Sequence, residues 1–281
     1  MNTLITGAQG FTGSVLIEQL RNESGTPHCT DVRSGKMGNG LVCDLTNADD
    51  TIRLLDTVQP DRIYHLAGSF ANNYAEDYAG NVLCTKNILS AVVRLARDTR
   101  VLLIGSAAEY GRVAAYQNPI RESQPLRPIS MYGLTKTMQT ILMRYFIDRH
   151  DLDVLMARPF NLFGKGLSDR LFVGHIYRQI EQFRNKDLPS ITVGKLNAVR
   201  DYIDVQEATK WYRKIMNHGK RGEIYNVGSG KPVSVSDVLD RILSEENIDS
   251  CAVRQSGPVK SEIEDVDVSY ADISKLLSLA K

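Results

Sequence analysis

The sequence predicts an α/β fold, a doubly wound parallel sheet followed by a smaller C-terminal α/β lobe that would bind substrate. Three observations carry this. The chain opens on strand, glycine-rich turn and helix; apolar strand candidates then alternate with amphipathic helix candidates at βαβ spacing; and the strands are near-continuous apolar runs, as strands buried on both faces are. At 281 residues the chain can bury a substantial core. It is read as a large first region, 1–160, and a lobe, 161–281, with segments near 200–230 returning to the first.

The first strand is Thr3-Leu4-Ile5-Thr6, followed by the turn Gly7-Ala8-Gln9-Gly10-Phe11-Thr12-Gly13 and a helix through Val15 to Leu20. Gly7 permits the turn, Gly10 lets backbone approach a pyrophosphate, Gly13 lets helix pack on strand, and the helix N-terminus favours the anion. A second strand around His28 to Val32 brings Asp31 to its end, where a carboxylate can hold adenosine ribose hydroxyls. Arg33, two residues on, could equally accept a 2′-phosphate, and both could be solvated loop charges.

Leu41 to Leu45 is a third strand candidate, with Asp44 placed to reach an adenine amino group. After a helix at about 48–57 comes Arg62-Ile63-Tyr64-His65-Leu66-Ala67-Gly68, whose small closing residues suit a strand edge beneath a cofactor. His65 is read as a satisfied core residue rather than a catalyst. Asn81 starts a long amphipathic helix, and Arg100-Val101-Leu102-Leu103-Ile104-Gly105-Ser106 is an apolar strand ending on a hydroxyl.

Ser106 lies 26 residues before Tyr132, at the carboxyl end of a central strand, where open α/β sheets place their chemistry. Tyr132 and Lys136 are four apart and share a helix face. A phenol titrates near 10, and an ammonium one turn away favours its phenolate, so the pair is expected to exchange a proton nearer neutrality.

Bulk properties set limits. With 34 basic and 33 acidic side chains the net charge is +1, which gives no reason to expect nucleic-acid or membrane-surface binding. Cys29, Cys43, Cys84 and Cys251 form no C-x-x-C pair, which argues against a zinc site or a redox dithiol, so no metal is expected and they read as buried thiols of a reducing cytosol. No apolar run approaches a membrane span and no secretory leader is read at the start, so a cytoplasmic protein is expected.

Taken in order, Gly7-x-x-Gly10-x-x-Gly13, Asp31, His65-Leu66-Ala67, Asn81, Ser106 with Tyr110-Gly111, Tyr132-x-x-x-Lys136, Arg158-Pro159-Phe160-Asn161 and Arg200-Asp201-Tyr202-Ile203-Asp204-Val205 resemble an extended short-chain dehydrogenase/reductase of the NAD-dependent epimerase/dehydratase group, over residues 1 to about 240. The resemblance implies a Rossmann sheet, NADH or NADPH as cofactor and a nucleotide sugar as substrate. It implies that Tyr132 is the general acid/base, that Lys136 lowers its pKa and holds the nicotinamide ribose, and that Ser106 hydrogen-bonds the reacting oxygen. It extends the cofactor contacts to Gln9, Phe11, Thr12, Leu45, Leu66, Ala67, Gly68, Asn81 and Arg158, and the substrate contacts to Ala107, Glu109, Asn161, Arg200 and Lys260.

Dehydratases of this group carry acidic residues two, and often three, positions before the residue matching Tyr110; here those are Ala108 and Ala107, and methyls do no acid/base work. Glu109 is displaced by one, so a structural role is favoured for it. Residues 126–133, 193–201 and 225–230 look most like 4-keto-6-deoxysugar-nucleotide reductases, with a GDP-linked 4-keto-6-deoxymannose as the first expected substrate. A 4-epimerase retaining NAD and a non-catalytic nucleotide sensor are the alternatives.

Asn161 and Arg200 match diphosphate-binding positions, Arg200 with a planar fork suited to two phosphate oxygens, although Arg200-Asp201 could also be a local ion pair. Gly164 to Ser168 reads as a flexible loop over the sugar, leading to a helix near 170–184. Relatives carry Arg-Pro where this chain has Val259-Lys260, and Lys260 would substitute only as a point charge. A homodimer is expected through helices near 82–97 and 132–149, the second offering Met138, Ile141, Leu142, Tyr145 and Phe146.

Overall fold

The computed structural model describes residues 1–24, 26–33, 40–96, 98–255 and 266–280. The first half alternates as read from the sequence: β1 (Thr3–Thr6), α1 (Phe11–Ser24), β2 (His28–Asp31), β3 (Leu41–Val42), α2 (Ala48–Val58) and β4 (Arg62–His65). Then come α3 (Tyr74–Asp77), a π-helical turn (Tyr78–Leu83), α4 (Cys84–Arg94), β5 (Arg100–Ile104), α5 (Met131–His150) and β6 (Val154–Pro159). The second half holds β7 (Asn161–Phe163), α6 (Phe172–Arg184), β8 (Ile191–Val193), β9 (Val199–Arg200), β10 (Tyr202–Asp204) and α7 (Val205–His218). It closes with β11 (Ile224–Val227), β12 (Val233–Ser234), α8 (Val235–Glu245), β13 (Val253–Gln255), β14 (Val268–Ser269) and α9 (Ser274–Leu277).

Seven strands form one parallel sheet in the order β11-β6-β5-β4-β1-β2-β3. The chain starts in the middle at β1, winds outward through β2 and β3, then crosses back to β4 and winds the other way. That reversal opens a crevice above the carboxyl ends of β1 and β4, where such sheets bind ligands. All of β6 is buried, which explains its apolar run Val154 to Ala157 and places Arg158 inside the fold. One core lies between the sheet and α2, α4 and α5, and a second between its other face and α1 and α7, so α7 and β11 are part of the large sheet assembly.

The C-terminal lobe has its own core, in which Ile176 and Ile180 of α6 meet Leu239 and Ile242 of α8 and Ile191 of β8. Its small sheets pair β10 with β7, β9 with β12 and β14, and β8 with β13. Among the described residues no helix is long and apolar enough to cross a membrane.

Three details depart from the sequence reading. The third strand is two residues long, because Asp44 leaves it to cap a turn, its Oδ1 accepting from Thr46 N at 2.9 Å. Helix begins at Tyr74, where the Asn73 side chain accepts from Glu76 N, so Asn81 lies inside a continuous helical run rather than at its start. Cys29, Cys43 and Cys84 are buried, but Cys251 is exposed.

Candidate functional site

The glycine turn is built as a cradle. Gly7 has φ +65°, and a Cβ there would stand 2.6 Å from the Ala67 nitrogen, so only glycine lets β1 turn beneath the end of β4. A Cβ at Gly13 would stand 2.9 Å from Ala8 Cα, so glycine lets α1 sit against the strand end. Asp31 ends β2 with its carboxylate over this turn, Oδ2 accepting from Gln9 N at 3.0 Å and Oδ1 from Val32 N at 2.8 Å. The Gln9 side chain donates to the Arg33 carbonyl, and the Arg33 side chain is exposed beside it. Phe11, Thr12, Leu66 and Ala67 are half-buried around this crevice, and Gly68 is exposed. The backbone admits a pyrophosphate where side chains are missing, as a bound dinucleotide requires.

Ser106 directly follows β5 and caps a short 3₁₀ turn, Ala107–Glu109, its Oγ accepting from Ala108 N at 3.1 Å. Tyr132 is the second residue of α5, whose start is fixed by Ser130 Oγ accepting from Gly133 N at 3.0 Å. A Cβ at Gly133 would stand 2.5 Å from the Ala108 carbonyl oxygen, so this glycine lets the helix start press against the Ser106 turn. The result brings the Ser106 hydroxyl close enough to Tyr132 to act on the phenol's pKa. The Phe70 ring meets the Tyr132 ring edge-on at 4.7 Å.

Electrostatics at this pair run against the expectation of an acidified phenol. Burial pushes Tyr132 up to about 12; the Ser106 hydroxyl pulls it down, and the charges of Glu109 and Asp77 push it further up. Lys136 Nζ is 6.0 Å from the Tyr132 ring centroid and donates instead to the Ile104 carbonyl at 2.8 Å. Burial pulls the Lys136 ammonium down to about 8, against the carboxylates of Glu109 and Asp77 that raise it. Desolvation outweighs the Tyr-Lys pairing in this state of the protein.

Ser106 and Tyr132 open into a cavity of about 470 Å³ between the large sheet and the lobe. Its walls are mostly apolar, including Phe70, Leu162, Leu167 and Phe172, and Ala107 and Ala108 line it beside Ser106. Among the described residues lining it, Arg200 is the one charged side chain; Asn161, Ser168 and Tyr202 add neutral polar groups. Asp201 turns away from Arg200 into the protein, accepting from Ser229 N at 2.7 Å and Gly230 N at 2.9 Å, so the alternative of an Arg200-Asp201 pair gives way to an Asp201 that holds the 229–230 turn.

Several expected contacts lie elsewhere. Glu109 and Arg158 do not reach the cavity: both are buried and paired, Arg158 Nη2 donating to Glu109 Oε2 at 2.8 Å. Glu109 Oε1 accepts from Ser106 N at 2.8 Å and Oε2 from Thr140 Oγ1 at 2.5 Å, so its carboxylate is consumed inside the fold rather than offered to a substrate. Arg158, read as a cofactor contact, gives Nη2 to Glu109 and stacks 4.7 Å over the Tyr110 ring, while its buried Nε and Nη1 have no hydrogen-bond partner among the described residues. Asn81 is wholly buried, bridging Ser69 and Thr135, so it positions the loop after β4 and offers no free amide to a cofactor. Leu45 packs in the core. His65 is saturated by Thr6 and Thr85, and burial first, then the Lys136 charge, takes it down to about 3. Lys260 lies outside the described residues.

Phe70, Thr140 and Gln139 did not stand out in the sequence. Thr140 and Gln139 carry one retrievable signal, as polar residues at the inward positions of α5 alongside Thr135 and Lys136.

The chain is 30% identical over 187 residues to a GDP-6-deoxy-D-mannose reductase of Pseudomonas aeruginosa, covering 64% of this chain and 62% of that one. It is 28% identical to a GDP-6-deoxy-D-talose 4-dehydrogenase of Aggregatibacter actinomycetemcomitans, over 99% of this chain and 91% of the relative. The solved structure of RMD from Pseudomonas aeruginosa complexed with NADPH superposes with a TM-score of 0.84, covering 99% of this chain and 92% of that one; at 24% identity the likeness is one of fold. Residues 3–228 match the NAD-dependent epimerase/dehydratase family, and the chain belongs to that family.

Proposed function

We propose that this protein is an NAD(P)H-dependent 4-ketoreductase of nucleotide-linked 4-keto-6-deoxy sugars, with GDP-4-keto-6-deoxy-D-mannose as substrate and GDP-D-rhamnose as product. The observation that carries it is the chemistry of the cavity. The Ser106-Tyr132 pair opens into a chamber whose described lining holds one cation, Arg200, and no carboxylate. Without an acid beside Ser106, removal of a proton next to a carbonyl and expulsion of water has no catalyst, whereas delivery of one proton to a reduced ketone has one.

Bound in the glycine cradle, with Asp31 at the adenosine ribose and Arg33 beside it for a 2′-phosphate, the dinucleotide supplies the hydride. The chain's own residues do the rest. Ser106 Oγ–H donates to the C4 oxygen, Tyr132 gives its phenolic proton to that oxygen as it gains negative charge, and Lys136 holds the nicotinamide ribose and restores charge balance. Arg200 and Asn161 grip the diphosphate, whose two charges suit a planar guanidinium. The apolar wall receives the 6-methyl carbon. Relatives named for GDP-6-deoxy sugars support the choice of nucleotide.

In this reading two copies pair through α4 and α5, whose exposed Ile141 and Tyr145 supply the apolar face. Sedimentation as a monomer at micromolar concentration would remove the dimer. The function is tested by supplying purified protein with GDP-, dTDP- and CDP-linked 4-keto-6-deoxy sugars and either NADPH or NADH. Consumption of one reductant per sugar, with a new C4 hydroxyl by NMR, is expected. No consumption on any of them would end the reductase reading, and interconversion of saturated nucleotide sugars without added reductant would replace it by a 4-epimerase.

A further inference from the structure

Lys136 is only 5% exposed, so its ammonium must find acceptors within the protein. Nζ donates to the Ile104 carbonyl at 2.8 Å and to Gln139 Oε1 at 3.2 Å. A Cβ on Gly68 would lie 3.5 Å from Nζ, which places the ammonium against the strand end that borders the cradle. Among the described residues no carboxylate pairs with it, and the charge rests on neutral oxygens.

The orientation of the Gln139 amide follows from proton counting. The Thr85 hydroxyl spends its single proton on the Asn81 carbonyl, at 2.7 Å. Thr85 Oγ1 must therefore accept from both other neighbours, Gln139 Nε2 at 2.8 Å and His65 Nε2 at 3.2 Å. A flipped Gln139 would set oxygen against a hydroxyl with no proton left and an NH₂ against the ammonium of Lys136. The same counting fixes His65 as the Nε2–H tautomer, its Nδ1 accepting from Thr6 Oγ1 at 2.8 Å, while Thr6 Oγ1 accepts from Ala67 N at 3.2 Å. One polar chain thus runs from the β4 strand end through Thr6, His65, Thr85 and Gln139 to Lys136.

We propose that Gln139, locked by Thr85 and His65, is a positioning residue that holds the Lys136 ammonium in register with Tyr132 and the cradle. The inference rests on the roles proposed above for Tyr132 and Lys136. The groups facing Lys136 are Tyr132 on its own helix, Glu109 from the turn after β5, Asp77 at the end of α3 and neutral His65 on β4. Glu109 is already tied to Arg158, and Asp77, although its Oδ2 has no partner among the described residues, acts on Nζ through its charge with no hydrogen bond to it, so among those residues Gln139 is the side chain that accepts from Nζ.

The test is a titration of cofactor-free protein carrying ¹³Cε-labelled lysine, with the Lys136 resonance assigned by its loss in Lys136→Arg. Gln139→Met should lower the Lys136 midpoint by roughly one pH unit, as loss of one hydrogen bond to a charged group predicts, and Gln139→Glu should raise it. Thr85→Val, which frees the amide, should move it down by less and serves if Gln139→Met does not fold. In turnover Gln139→Met should lose kcat by roughly tenfold with KM for the nucleotide sugar little changed, the basic limb of its pH profile moving down with the titration. An unmoved midpoint in Gln139→Met, or equal kcat losses in Gln139→Met and Gln139→Glu without displacement, would overturn the proposal. A moved midpoint in a protein that reduces none of the candidate sugars would leave the positioning in place and sink the reductase reading instead.

Discussion

The Glu109 carboxylate and the Arg158 guanidinium lie 2.8 Å apart with side-chain exposures of 0% and 1%. Through Ser106 N and Thr140 Oγ1 the same carboxylate also ties the turn after β5 to helix α5. The pair therefore braces the two elements that bring Ser106 and Tyr132 together. Glu109→Ala strands a buried guanidinium and should cost about 3–5 kcal/mol in urea denaturation, while Glu109→Met/Arg158→Met should recover most of that loss. A single-variant cost below about 1 kcal/mol would remove the brace.

Tyr132→Phe removes the proton donor while keeping the ring that packs against Phe70. Cofactor affinity, measured by fluorescence titration, should be nearly unchanged, while kcat should fall by roughly 10²- to 10⁴-fold. Wild-type turnover would exclude Tyr132 from the chemistry.

Lys136 carries a stability cost that depends on pH. Its folded pKa of about 8 lies below the unfolded value of about 10.4, so between them the unfolded chain binds more protons and stability rises with pH. The difference in unfolding free energy between wild type and Lys136→Met should therefore grow in favour of wild type from about pH 8 to pH 10, by at most about 3 kcal/mol. A difference that stays flat over that range would show that the ammonium is not held in a desolvated site.

Arg200 is the charged group of the described cavity wall. Arg200→Ala should raise KM for the nucleotide sugar by roughly ten- to a hundredfold, the worth of a hydrogen bond to a charged group, with a smaller change in kcat. Arg200→Lys should recover only part, because an ammonium lacks the two-pronged geometry. An unchanged KM in Arg200→Ala would move diphosphate binding elsewhere.

The alternating strands and helices were legible because the strands are short runs, mostly apolar, and helices such as α2, α7 and α8 have a clear amphipathic period, signals local to a few residues. The glycine turn was legible for the same reason, since close approach at Gly7 leaves no room for a Cβ. What stayed hidden depends on partners far along the chain. Nothing near Glu109 announces Arg158, 49 residues away, so an arginine in a family motif reads as a ligand contact when it is a buried counter-charge. The direction of the phenol's shift is not legible in the sequence because a helical wheel shows spacing but not burial, which is the largest influence on Tyr132. Asn81 reads as a helix start in the sequence because the π-helical turn that contains it has no simple period there.

Gly164 has φ +148°, and a Cβ there would stand 3.1 Å from the Phe11 ring. The loop it begins continues to Leu167 and Ser168 in the cavity wall, while Phe11 opens the helix beneath the glycine turn. Cradle and chamber are thus back to back across one aromatic ring. A change in the turn need not touch the sugar to alter how it is held, and selection on one compartment is inherited by the other.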